Sequence, residues 1–195
     1  MDHRYLLERL IPYRLGAIEA LGLALKYLQR SETPQAMEIY FAGQLVIQGN
    51  SYGFLNPVFE SGLIHCRALL EFLGLRAQSS EKSLGNVRLP RRADDLGIEA
   101  FSNSQGPLPL VTPKQAVARY GGGAREAQDA LLAVFHATNK GLAHVTRVLD
   151  LSRSEARLIE IAGRGVHSLV VSHLYTPLKL PPPPVIVTSR PRGGL

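Results

Sequence analysis

Asn139 and His144 stand five residues apart beside an apolar stripe, in the stretch Thr138-Asn139-Lys140-Gly141-Leu142-Ala143-His144-Val145-Thr146. A histidine titrates near neutrality and is a candidate general acid and base. Asparagine supplies an amide donor and a carbonyl acceptor, and Lys140 adds a cation. An earlier stretch, His65-Cys66-Arg67-Ala68-Leu69-Leu70-Glu71-Phe72-Leu73, sets His65 and Arg67 into an otherwise hydrophobic segment. Arg67 can pair with Glu71 four residues on along a helix, or point into an inter-helix groove as an anion donor. His144 likewise has two readings, a catalytic base or a structural hydrogen bond between helices.

Metal chemistry has no support in the spacing. His136 and His144 lie about 12 Å apart along a helix axis and face different ways. The chain has no cysteine pair, Glu-x-x-His or His-Glu-x-x-His. Gly121-Gly122-Gly123 lacks the spaced glycines and lysine of a phosphate loop. No cofactor and no metal are therefore expected.

The elements that would position these groups read as helices. Leu15, Ile18, Leu21, Leu25 and Leu28 recur at three- and four-residue spacing, which predicts a helix from Pro12 to Gln29 after a separate turn at Tyr5-Leu6-Leu7. Thr33-Pro34 and Asn56-Pro57 read as cap-plus-proline starts of a second helix, to Gly49, and a third, to Leu75. On a helical wheel the third buries Phe59, Leu63, Cys66, Leu70 and Leu73, with Arg67 and Glu71 on one flank and His65 on the other. The fourth, Ala124 to Leu149, buries Ala127, Leu131, Val134 and Thr138, with Asn139 and His144 on its two borders. Capping boxes at Thr112-Pro113-Lys114-Gln115 and Ser152-Arg153-Ser154-Glu155 open a short helix and a fifth long one, to Tyr175. Between them, residues 77–111 read as a long basic loop with one helical turn capped by Asp94 or Asp95.

The expected fold is all-α: a single-domain, up-and-down bundle of four to five long helices over residues 1–176. A Pro-rich, extended or disordered tail follows over 177–195. The chain has 195 residues, enough for one domain with a real core. Its net charge of +6 is concentrated in two places. Residues 76–92 carry Arg76, Lys82, Arg88, Arg91 and Arg92 against Glu81, and the tail adds Lys179, Arg190 and Arg192. Those loops can meet phosphates or simply be solvated. Cys66 is the single cysteine, so no internal disulfide partner exists. Its mid-stripe position predicts a small buried hydrophobe. Glu19 and Lys26 interrupt the longest apolar run, so no membrane span is expected. The charged N-terminus lacks a secretory apolar segment, so the expected setting is cytoplasmic.

Three ordered pieces carry a resemblance: the His65–Leu73 helix, the Asp94-Asp95 loop and the Asn139–Thr146 motif. Over residues 56–148 they resemble a group of small bacterial helical proteins, and the last motif is similar to that of the HEPN superfamily, whose members are often RNases of toxin–antitoxin and phage-defence systems. The resemblance implies a helical bundle, a homodimer, and RNA or an antitoxin-type protein as partner. It assigns His144 the general acid/base role of a metal-independent RNase, with Lys140 in the motif's polar slot. Asn139 stands where those enzymes carry arginine and brings no positive charge to a phosphate. The resemblance therefore implies a degenerate, binding-type member, with His144 and Asn139 as the catalytic candidates and Arg67, His65 and Lys140 as binding residues; the catalytic RNase is the alternative.

Overall fold

The computed structural model describes residues 2–31, 33–78, 82–142 and 152–184. A helical turn at His3–Tyr5 runs through a π turn at Leu6–Leu10 directly into α1, Ile11–Leu28, so the lead-in is not a separate element. Strands β1 (Ala36–Phe41) and β2 (Gln44–Asn50) follow, then α2 (Tyr52–Phe72), β3 (Leu75–Ala77) and β4 (Leu84–Asn86). A 3₁₀ turn at Ile98–Ala100 precedes β5 (Ser102–Asn103) and β6 (Gly106–Pro107). Helices α3 (Pro113–Ala118), α4 (Ala124–His136) and α5 (Arg153–Val170) complete the order, with π turns at Ala137–Gly141 and Val171–Tyr175.

Three two-stranded antiparallel sheets overturn the all-α bundle. The largest correction is the second predicted helix, which is a β-hairpin. Ile39 faces Ile47 and Phe41 faces Gln44 across it, and Ala42 and Gly43 turn the chain with φ of 49° and 83°. Positive φ at both central residues is the hairpin turn whose twist matches its strands. The run Ile39-Tyr40-Phe41 and Leu45-Val46-Ile47 is β-branched and aromatic, and that preference outweighs the Thr33-Pro34 start signal.

The second cap-plus-proline start also moves. Helix α2 begins at Tyr52, and Pro57 lies inside it. Asn50 Oδ1 accepts from the Gly53 amide at 3.2 Å, satisfying one of the unpaired donors of the first turn. Both capping boxes stand as expected: Thr112 with Gln115, and Ser152 with Glu155.

The expected basic loop is stitched to the core. Strands β3 and β4 pair Leu75 with Asn86, and β5 and β6 pair Ser102 with Pro107. Leu75, Leu84, Ile98, Phe101, Leu108 and Val111 are all buried. The side-chain amide of Asn86 donates to the carbonyls of Gly74 (2.9 Å) and Val111 (2.8 Å), tying both ends of the segment together.

Helices α1, α2, α4 and α5 share one core. A Cβ on Gly62 would overlap Leu21 and stand 3.0 Å from the Ala17 carbonyl, so a bare glycine lets α1 and α2 approach closely. Cys66 is wholly buried, and burial pushes its thiol pKa up, which suits the inert core role. Tyr175, in the last π turn, donates to the Leu7 carbonyl at 2.7 Å and closes the two ends of the described fold. No described helix is long and apolar enough to cross a membrane.

Candidate functional site

Two elements bring Arg67 and Asn139 together. Arg67 leaves α2 four residues before Glu71, on the flank of a stripe anchored by Leu63, Cys66 and Leu70. Asn139 lies in the π turn that continues α4, where the Leu142 amide reaches back to the Ala137 carbonyl at 3.1 Å. An i→i+5 turn admits an extra residue and changes which face follows it, and such turns recur at functional positions. Thr138 is turned inward and spends its hydroxyl on the Val134 carbonyl at 2.8 Å. Asn139 therefore takes the position facing α2.

Arg67 Nη1 donates to Asn139 Oδ1 at 2.6 Å, while its Nε donates to Glu71 Oε1 at 2.9 Å. The intrahelical pair with Glu71 is thus formed, and the same side chain reaches across to the segment that continues α4. The arginine and Glu71 side chains are 37% and 42% exposed, so the pair is semi-exposed and the remaining guanidinium donors can meet a ligand.

The contact is braced from below. Arg91 Nη1 donates to the Glu71 carbonyl (3.0 Å) and Nη2 to the Phe72 carbonyl (3.3 Å), satisfying the end of α2. Arg91 Nε also donates to Glu99 Oε1 at 2.5 Å, and Nη2 to Oε2 at 3.2 Å, a forked pair. Burial pushes the Glu99 carboxyl pKa up, but the Arg91 hydrogen bonds and charge outweigh it and hold it below the usual range. Gly97 makes room: a Cβ there would collide with the Arg91 guanidinium and the Glu99 carboxylate. Sequence reasoning missed Arg91, Glu99 and Gly97, because an arginine eight residues before a glutamate in a basic loop carries no periodic signal. Asp94 and Asp95 are exposed, and the 3₁₀ turn starts at Ile98 without a side-chain cap.

His65 belongs to a different place. Two residues from Arg67 on one helix, it faces the other way. Arg14 Nη1 lies 3.0 Å from His65 Nδ1, and Tyr13 packs edge-on with ring centroids 5.2 Å apart. Arginine only donates, so Nδ1 accepts and the imidazole is neutral. Burial first, then the Arg14 charge, lowers its pKa. His136, at the end of α4, is half-buried. The catalytic candidate His144 lies outside the described residues, as does the side chain of Lys140. No group of three His, Cys, Asp or Glu suited to a metal ion occurs among the described residues.

Three grooves open elsewhere. One of about 430 Å³ runs between α1 and α5 past Glu19 and His167, whose side chains stand 3.9 Å apart. A second, of about 290 Å³, lies among α3, α4 and α5, and a third, of about 420 Å³, between α1 and α2. None is lined by Arg67 or Asn139. The arginine–asparagine contact is a bond between helices made by a part-exposed guanidinium. No protein-family model, curated protein or solved structure matches the chain.

Proposed function

We propose that the protein is a non-catalytic relative of the HEPN proteins that binds RNA, or an antitoxin-type protein presenting similar anionic chemistry, beside the Arg67–Asn139 contact in the cytoplasm. The observation that carries it is the 2.6 Å bond from Arg67 to Asn139. Asn139 occupies the motif position where an RNase would carry its phosphate-binding arginine, and its carbonyl is already taken by a donor from α2. A side chain held this way orients Arg67; it does not itself meet a phosphate. Glu71 offsets part of the guanidinium charge, which favours recognition over stabilisation of a developing dianion.

The catalytic alternative keeps one supporting observation. The bond to Asn139 puts a guanidinium from α2 beside the position the motif reserves for arginine, so Arg67 supplies the missing charge from another helix. In that reading His144 is the general acid and base.

The two readings separate in one set of measurements. Wild-type protein and the Arg67→Gln and His144→Ala variants are incubated with labelled single-stranded RNA in EDTA, following both anisotropy and cleavage. The binding reading expects intact RNA and affinity reduced about tenfold by Arg67→Gln, with a shallower salt dependence. His144→Ala leaves that affinity within about twofold, because in this reading the imidazole meets no phosphate. Cleavage that survives EDTA and disappears in His144→Ala establishes the RNase instead. No binding and no cleavage by the wild type removes RNA as the ligand.

A further inference from the structure

The cavity of about 290 Å³ among α3, α4 and α5 is built from short side chains on all three helices. Ala116, Ala127, Ala130 and Ala162 line it, together with Leu131 and Leu169, and all six are buried. Gly165 of α5 lines the same space, and a Cβ there would meet nothing within 4 Å. A glycine inside a helix is unfavourable relative to alanine, and no close-packed neighbour requires this one. What it preserves is open volume.

The charged groups that line the cavity share one sign. Arg119, just after α3, and Arg164, on α5, are exposed and mark its solvent side. Among the described residues no carboxylate pairs with Arg119. Arg164 stands 3.5 Å from Glu160 on its own helix, with its side chain 74% exposed. Glu126, at the start of α4, is already held by the Tyr120 hydroxyl at 2.6 Å and by Arg157 at 3.2 Å. No acidic residue lines this cavity, whereas Glu19 and Glu160 both line the groove between α1 and α5. Ser168, one turn beyond Arg164, adds a hydroxyl.

We propose that this cavity binds a small monocarboxylate with an apolar body. The body lies among the alanines, and the carboxylate meets Arg119 at the mouth. Size sets the body: the volume is about twice the ~150 Å³ that admits benzene, room for about eight to ten carbons. It also lies near the lower end of the range for small-ligand pockets. Charge sets the head group, because a guanidinium offers a carboxylate two parallel donors. An amine would face two arginines with no acid among the lining residues. A sugar or nucleotide would leave its hydroxyls unpaired against the alanine and leucine wall. The cavity shares no residue with the Arg67–Asn139 contact, so neither reading depends on the other.

The test is titration calorimetry of the full chain with sodium octanoate, 1-octanol and octylamine, each below its micellar concentration. Octanoate is expected to bind at one site, about tenfold or more tighter than 1-octanol, the worth of a charge-assisted hydrogen bond. Arg119→Gln should weaken octanoate about tenfold and leave 1-octanol within about twofold, a split that a merely structural arginine would not produce. Gly165→Leu fills the space and should weaken both ligands about tenfold or more. Circular dichroism checks that each variant is folded. If Gly165→Leu fails to fold, methyl NMR of the wild type decides. Octanoate that shifts the Ala130 and Leu131 methyls supports the site, and shifts confined to other methyls overturn it. A wild type that takes up no octanoate at about 5 mM also overturns the proposal. So does octylamine or 1-octanol binding as tightly as octanoate, and so does a folded Gly165→Leu with full affinity.

Discussion

His65 shows how one side chain's surroundings set its response to pH. Its Nδ1 accepts from Arg14, and burial and that neighbouring charge both disfavour the imidazolium, so its folded pKa lies below the ordinary value of 6.5. His173 is shifted the same way, by burial and then by Arg119. A group that protonates more readily when unfolded stabilises the fold fully above its unfolded pKa. That contribution is lost as pH falls from about 6.5 through the lowered folded value. Thermal melting should therefore drop between pH 7 and 5, and His65→Gln, which keeps an acceptor for Arg14 but cannot take the proton, should flatten the slope. An unchanged slope in His65→Gln would place the sensitivity elsewhere. The polar character of Arg67 and Asn139 was legible in the sequence, and so was Glu71 as a neighbour. Facing stripes on the two helices also bring them towards one region, and the bond between them bears this out; its geometry was not legible. An ideal wheel at 100° per residue gives Asn139 only a border position, whereas the π turn at Ala137–Gly141 changes the phase at that point. Arg14 as the partner of His65 lies 51 residues away, and single-sequence periodicity has no term for such a pair.

Helices with long stripes and strong caps were readable from local pattern. The Ser152–Glu155 and Thr112–Gln115 boxes predict their helices because the cap and its partner lie within one turn. The hairpin was hidden by a competing signal, since Thr33-Pro34 imitates a helix start while the turn pair Ala42-Gly43 is a weak form of the usual Asn-Gly. That weakness is measurable. An alanine at φ 49° pays for a left-handed backbone that asparagine tolerates better. Ala42→Asn should stabilise the hairpin by roughly 0.5–1 kcal/mol, read as amide exchange in β1 and β2 slowed about two- to fivefold. The segment after α2 reads from sequence as a basic loop, free to meet phosphates or water, because its charges are visible and its tertiary partners are not. Arg91 is one of those charges, yet it closes the C-terminal end of α2 and forks onto Glu99, with its side chain only 12% exposed. Removing it as Arg91→Ala leaves the α2 carbonyls and a partly buried carboxylate without their donor. The expected loss is about 2–3 kcal/mol in urea unfolding. A loss below about 0.5 kcal/mol, the usual worth of an exposed pair, would show that the segment is not anchored there.

At the scale of the whole molecule, stability turns on how closely α1 approaches its neighbours, and two glycines separate helix propensity from packing. Gly22 lies on an exposed part of α1, with open space where a Cβ would be. Gly62 lies on the buried face of α2, where a Cβ would overlap Leu21 Cβ and crowd the Ala17 carbonyl. Neither glycine has positive φ, so alanine is acceptable to the backbone at both. By propensity alone each replacement should gain about 1 kcal/mol. Gly22→Ala should realise that gain. Gly62→Ala should instead lose about 3 kcal/mol, because two backbones in contact cannot separate without opening the core around Ile18, Leu21 and Leu63. In a chain of this length that is a fall in melting temperature of roughly 6–12 °C. If the overlap with Leu21 is the cause, trimming that side chain must relieve part of it. Leu21→Ala alone should cost about 2–5 kcal/mol as a cavity. The double variant should be more stable than the sum of the two losses by about 1–3 kcal/mol, the coupling expected of side chains in direct contact. Additive losses would mean that the Ala17 carbonyl, which no side-chain change can move, sets the spacing between α1 and α2.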